Sequence, residues 1–154
     1  MKGTITKSKI TGLGIILLLG LLISSCDKLN ETPIENFKGT WKLEGRSMFN
    51  GIEIKIEENS GVKLIGKVVS LNDNKYVKMF VETNDTWVTG IRRTSNYEFR
   101  LTEKKIGSDL FSIYDLETTK EYKVEFIDED TIGLGSGDSK PTESSVKYIR
   151  VKNE

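Results

Sequence analysis

The chain has 154 residues, 23 basic and 23 acidic side chains, no histidine and one cysteine, Cys26. A chain without histidine and with a single thiol has no His-dependent catalytic triad, no internal disulfide and none of the usual zinc ligand sets. The balanced charge, with no basic run, argues against nucleic acid as a partner.

At the amino end, Lys2, Lys7 and Lys9 come with no acidic residue, and residues 13–23 form an apolar run broken by Gly14 and Gly20. This is the layout of a secretory signal peptide. As a helix the run reaches about 16 Å, roughly half the hydrocarbon thickness of a bilayer, so a transmembrane span is the weaker reading. The run ends on Ile23-Ser24-Ser25-Cys26, which resembles a bacterial lipobox. The resemblance implies removal of residues 1–25, a thioether-linked diacylglycerol on Cys26 and acylation of the new amino terminus. A multiply acylated cysteine holds a protein on a membrane, since each buried methylene contributes about 0.8 kcal/mol. The protein would then sit in a bacterial cell envelope, periplasmic or surface-facing. The alternatives are an ordinary signal peptide with an incidental cysteine and an uncleaved anchor. Loss of the three lysines leaves 20 basic against 23 acidic residues, a net charge of −3. With Cys26 acylated no thiol remains, and stability must rest on a packed core.

Residues 26–36 are polar, contain Pro33 and read as a tether. Residues 37–154 suffice for one domain with a real core. Within it the hydrophobic period is two. After a run at 40–46, Ile52, Ile54 and Ile56 alternate with Glu53, Lys55 and Glu57. Runs at 62–71, 76–83 and 86–93 follow. Tyr97, Phe99 and Leu101 then alternate with Glu98, Arg100 and Thr102. A run at 110–116 precedes Tyr122, Val124 and Phe126, and runs at 131–134 and 145–151 complete the chain. Turn clusters such as Asn72-Asp73-Asn74 and Thr94-Ser95-Asn96 separate them. The pattern predicts an all-β domain with no trustworthy helix. Its simplest topology is an antiparallel up-and-down barrel of about 8–10 strands, which removes exposed sheet edges; a Greek-key sandwich gives a similar pattern.

The stretch Phe37-Lys38-Gly39-Thr40-Trp41 resembles the first strand of the calycins, the superfamily of lipocalins and fatty-acid-binding proteins, whose opening strand carries Gly-x-Trp at the positions of Gly39 and Trp41. Near the other end, Lys147-Tyr148-Ile149-Arg150-Val151 resembles their closing strand, where an arginine often packs on that tryptophan. The chain lacks a lipocalin-type Thr-Asp-Tyr stretch and a disulfide, and residues 46–52 leave no room for the helical lid of fatty-acid-binding proteins. The resemblance implies a lipocalin-like barrel. In any closed meander the first and last strands are neighbours, so Trp41 and Arg150 can meet with guanidinium over indole, worth about 0.5 to 2 kcal/mol. Gly39 and Trp41 are expected to be structural.

Tyr148 and Arg150, two apart, share a strand face. Turned inward, they would offer a hydroxyl and a guanidinium to a ligand carboxylate. Fatty-acid-binding proteins hold the ligand carboxylate with an arginine and a tyrosine so spaced on the last strand, although in the reverse order. Lys147, Ile149 and Val151 are the competing inward set, and a slip of one residue exchanges the two. Elsewhere, Asp128, Glu129 and Asp130 read as a solvated turn, residues 133–137 lack the helix and Lys-Ser/Thr of a phosphate loop, and Arg92-Arg93 near Trp87 is a possible anion or partner contact. Three functions fit. The first is a lipid-anchored module binding a small hydrophobic or amphipathic ligand such as a fatty acid. The second is a non-catalytic envelope interaction protein with a filled barrel, and a hydrolase is a distant third. The expectation is no enzyme, no cofactor and no metal. The expected partners are the membrane, a small hydrophobic ligand and an envelope protein. Phe80, Phe99, Phe111, Tyr122 and Phe126 can fill the interior, whereas Gly66 and Gly90 can leave room.

Overall fold

The two-residue period becomes eight antiparallel strands in the computed structural model, which describes residues 31–60 and 63–152. They are β1 (Gly39–Glu44), β2 (Glu53–Asn59), β3 (Lys63–Ser70), β4 (Thr86–Arg93), β5 (Glu98–Lys104), β6 (Thr119–Asp128), β7 (Thr131–Gly135) and β8 (Lys147–Arg150). Each pairs with the next in sequence, and β8 returns to β1, closing an up-and-down barrel. The sequential order excludes the Greek-key alternative. All eight strands and the apolar core of the described residues lie within the unit Pro33–Glu154. Cys26 and the signal segment lie outside the described residues. Among the described residues no helix is long and apolar enough to cross a membrane.

Alternation delivers the core. Trp41 and Leu43 of β1, Ile54 and Ile56 of β2, Phe99 and Leu101 of β5, Val124 of β6 and Tyr148 of β8 are all essentially inaccessible to water. They belong to one continuous apolar cluster that occupies the barrel interior. Burial of each such side chain contributes about 1.5–3 kcal/mol.

Two runs expected to be strands are not. Residues 76–83 hold a 3-10 turn, Val77–Met79, because the Asn74 side-chain oxygen accepts the Tyr76 N–H at 2.9 Å and Val77 and Val81 are buried four residues apart. That spacing is helical. Residues 110–116 fall in α1 (Ser108–Ile113) and the turn after it; Gly107, at φ +73°, starts the helix. Strand edges would have forced Leu110 and Phe111 to opposite sides of a sheet, whereas Leu110, Ile113 and Tyr114 line up at i, i+3 and i+4. The count of strands is therefore eight, at the lower end of the expected 8–10.

The two ends of the barrel differ. One end, the floor, has short connections at residues 94–97 and 129–130, and is closed by a 3-10 turn, Ile34–Phe37, in residues expected to be tether. Its buried Phe37 packs on Phe99 and Phe126, with ring centroids 4.9 and 4.7 Å away. The other end, the mouth, carries the long connections: residues 45–52, 71–85, 105–118 and 136–146. The wall has one irregular seam. The β3–β4 ladder pairs Gly66 with Val88 and Lys67 with Thr86, is extended towards the mouth by Val68, which exchanges backbone hydrogen bonds with Asn84 and Asp85, and has no paired position towards the floor. The side chain of Lys63 lies across this seam over Gly90, where a Cβ would come within 2.8 Å of it.

Candidate binding site at the barrel mouth

Trp41 and Arg150 occupy the floor. The Trp41 indole is fully buried, and its Nε1 donates to the Phe37 carbonyl at 2.7 Å. The Arg150 guanidinium stacks on the indole, donates to the carbonyls of Asn36 at 2.7 Å and Lys38 at 3.0 Å, and pairs with Asp130 at 3.3 Å. Gly39 is required twice over. Its φ of +132° suits glycine, and a Cβ there would sit 2.7 Å from Arg150 Nη1.

Tyr148 points inward, as one of the two alternatives held, but its partners are at the opposite end from those of Arg150. Its hydroxyl accepts from Trp87 Nε1 at 3.0 Å and donates to Glu103 Oε1 at 2.5 Å. Arg46, just past the end of β1, donates through Nη1 to Glu103 Oε2 and through Nη2 to Oε1 at 3.3 Å. The structure thus does not bring Tyr148 and Arg150 together as a joint anchor. The guanidinium beside the Tyr148 hydroxyl belongs to Arg46, because Arg150 sits one strand step nearer the floor and is taken up by Trp41 and backbone carbonyls.

Glu103, only 3 % exposed, lies just beyond the alternating stretch 97–102. Phe99, Leu101 and Glu103 continue one inward face of β5 at steps of two. A buried carboxylate needs a counter-charge and hydrogen bonds, and Arg46 and Tyr148 supply them. Burial disfavours charge on Arg46, yet the Glu103 carboxylate more than offsets it and raises the guanidinium above its ordinary pKa. Burial, reinforced by the Glu103 charge, pushes the Tyr148 hydroxyl well above its ordinary value.

Above this cluster lie two adjoining open hollows. The smaller, about 180 Å³, is bordered by Arg46, Phe49, Trp87, Lys120 and Tyr122. Phe49 meets Trp87 edge-on at 5.8 Å, and Arg46 and Lys120 each lie within 5 Å of the Tyr122 ring centre. The larger, about 330 Å³, is bordered by Met79, Phe80, Val81 and Leu110 together with Asp85, Ser108 and Asp109. Both share Trp87, Lys104, Lys105 and Ile106. Lys104 and Lys105 are held by exposed Asp109 and Glu117 at 3.3 and 2.8 Å, pairs worth little in water. The larger hollow mixes apolar side chains with Asp85, Asp109 and two lysines, and the smaller sets aromatic rings among Arg46, Lys120 and the buried Glu103.

Arg92 pairs with Glu121 at 3.1 Å on the outer wall, while Arg93 covers the Phe99 ring at the floor, so neither joins Trp87 at the mouth. Asp130 serves Arg150 and Lys152, and Asp128 accepts the Asp130 N–H within the turn. Among the described residues no group of three His, Cys, Asp or Glu side chains is arranged to hold a metal. Comparison with known proteins finds no matching family, no matching characterised protein and no matching solved structure.

Proposed function

We propose that this is a lipid-anchored, non-catalytic binding protein of the bacterial envelope that takes a small acidic amphiphile at the barrel mouth. The observation that carries this reading is the pair of adjoining hollows. The apolar side chains of the larger hollow, Met79, Phe80 and Leu110, offer a seat to a short hydrocarbon tail, and Lys105 and Lys120 at the smaller one offer a counter-charge to an acidic head group. Charge-assisted hydrogen bonds to a sheltered anion are the stronger kind, and a hollow of this size lies in the ordinary range for small-molecule sites. The filled interior supports the mouth, rather than the barrel lumen, as the place of binding.

Calorimetry on residues 33–154 with dodecanoate and dodecanol tests the proposal. Lys105→Gln with Lys120→Gln is expected to weaken dodecanoate about tenfold, the equivalent of one lost charge-assisted contact of about 1.4 kcal/mol, and to leave dodecanol nearly unchanged. Equal losses for acid and alcohol, or no binding of dodecanoate to the unsubstituted domain, would reject it. The occupied interior also favours a second reading, an envelope interaction protein that binds nothing small, and the latter outcome would leave that reading standing.

A further inference from the structure

On the outer wall, where β3 and β4 part towards the floor, lies an open hollow of about 300 Å³ bordered by Lys63, Arg92 and Arg100, by Thr89 and Thr102, and by Gly90. No carboxylate borders it, in contrast to the two hollows at the mouth. Three strands deliver the three cations to this one face. On β5, Phe99 and Leu101 point inward, so Arg100 and Thr102 point out. The β4–β5 register shifts between Val88 and Gly90, and an irregularity of this kind re-aims the side chains beside it; Ile91 is buried and Arg92 is exposed. Gly90 leaves the base of the hollow bare, and the Lys63 chain from β3 occupies that space. A Cβ at Gly90 would come within 2.8 Å of Lys63 Cε and 3.5 Å of its Nζ.

The charges around the hollow do not cancel. Arg92 and Arg100 stand opposite each other in the β4–β5 ladder, and like charges so placed cost stability. Glu121 lies 3.1 Å from Arg92 and 3.9 Å from Arg100, and Glu98 lies 3.8 Å from Arg100. Ion pairs between groups this exposed are worth little, and neither carboxylate borders the hollow. Lys63 has no ion-pair partner among the described residues. Three cations against two carboxylates leave a net charge of +1. An ammonium and two guanidiniums from three strands suit an anion with oxygens on several sides, whereas a planar carboxylate engages one fork. We infer that this hollow binds a phosphate group, free or on a lipid head group, through Lys63, Arg92 and Arg100. This goes beyond the small-ligand reading and does not depend on it, since that ligand sits at the mouth.

The test titrates the full-length protein with orthophosphate and with a short-chain, water-soluble phosphatidic acid, following the amide shifts of Gly90 and Arg92 by NMR. Saturable shifts are expected. Lys63→Gln with Arg100→Gln should weaken phosphate at least tenfold, as loss of charge-assisted contacts does. Gly90→Ala keeps every charge but fills the space under Lys63, and should weaken it several-fold. Lys67→Gln removes a like charge from β3 outside the hollow and should leave affinity unchanged. Circular dichroism of each variant separates a lost site from a damaged barrel. Tighter binding of phosphatidic acid than of orthophosphate assigns the group to a lipid, and equal or weaker binding assigns it to the free ion. No saturable shift with either probe would overturn the inference. So would parent-like affinity in Gly90→Ala, or equal losses from Lys63→Gln and Lys67→Gln as single changes, which is the mark of diffuse charge and not of a site.

Discussion

The guanidinium of Arg150 lies 4.1 Å from the centre of the Trp41 ring, and the same two residues stand opposite each other in the β1–β8 ladder. One contact therefore joins the first strand to the last and caps the floor of the barrel. Three changes probe it by urea unfolding. Trp41→Ala is expected to cost about 3–5 kcal/mol, as large aromatic truncations in cores do. Arg150→Leu should cost about 1–3 kcal/mol through loss of the cation–π contact and of the hydrogen bonds to the Asn36 and Lys38 carbonyls. Gly39→Ala should cost about 1–3 kcal/mol from its backbone angle alone, and combined with Arg150→Leu it should cost less than the two separately, because the clash disappears with the guanidinium.

At the mouth the decisive pair is Arg46 and Glu103. Arg46→Leu leaves a buried carboxylate with only the Tyr148 hydroxyl, and about 3 kcal/mol of stability should be lost. Arg46→Leu with Glu103→Leu should recover most of it, since neither charge then remains to be solvated. A double variant no more stable than Arg46→Leu alone would show that packing, not charge, sets the loss.

Tyr148 gives a pH signature. Its hydroxyl pKa is raised in the folded barrel, by burial first and by Glu103 second. The folded state therefore keeps a proton that the unfolded chain gives up near pH 10. The stabilisation is whole below that pH and is lost as pH rises above it, with a slope of about 1.4 kcal/mol per pH unit from this one group. Spectrophotometric titration should find Tyr148 silent until the barrel opens. Tyr148→Phe should flatten the alkaline decline in stability.

If Cys26 carries the proposed anchor, Cys26→Ala should abolish both acyl labelling and membrane retention, since Cys26 is the chain's only thiol. Intact-mass analysis of the membrane fraction is the check, and an unmodified Cys26 found there would remove the basis for a lipid anchor.

Much of this was legible in the sequence because half-buried strands write their burial as alternation. Ile52, Ile54 and Ile56 announce β2 without help from tertiary structure, and Gly39, Trp41 and Arg150 announce the closure of the first strand on the last. The mouth was far less legible. Val77 and Val81 are two β-branched residues in an apolar run, and only their four-residue spacing and the Asn74 cap make them part of a turn. The cluster around Glu103 joins residues 45 to 61 positions apart in sequence. Its meeting depends on register, and the β3–β4 and β4–β5 ladders both contain irregularities. Arg46 lies beyond the last residue of a strand, where alternation no longer says which way a side chain points.

Towards the floor from Gly66, β3 and β4 have no paired positions, so residues 63–65 and 90–93 face each other across a splayed joint while each stays bonded to its other neighbour, β2 or β5. Backbone groups left open at such a joint are a border on which a strand of another molecule can pair. The long side chain of Lys63, laid over the joint at Gly90, acts there as a charged guard.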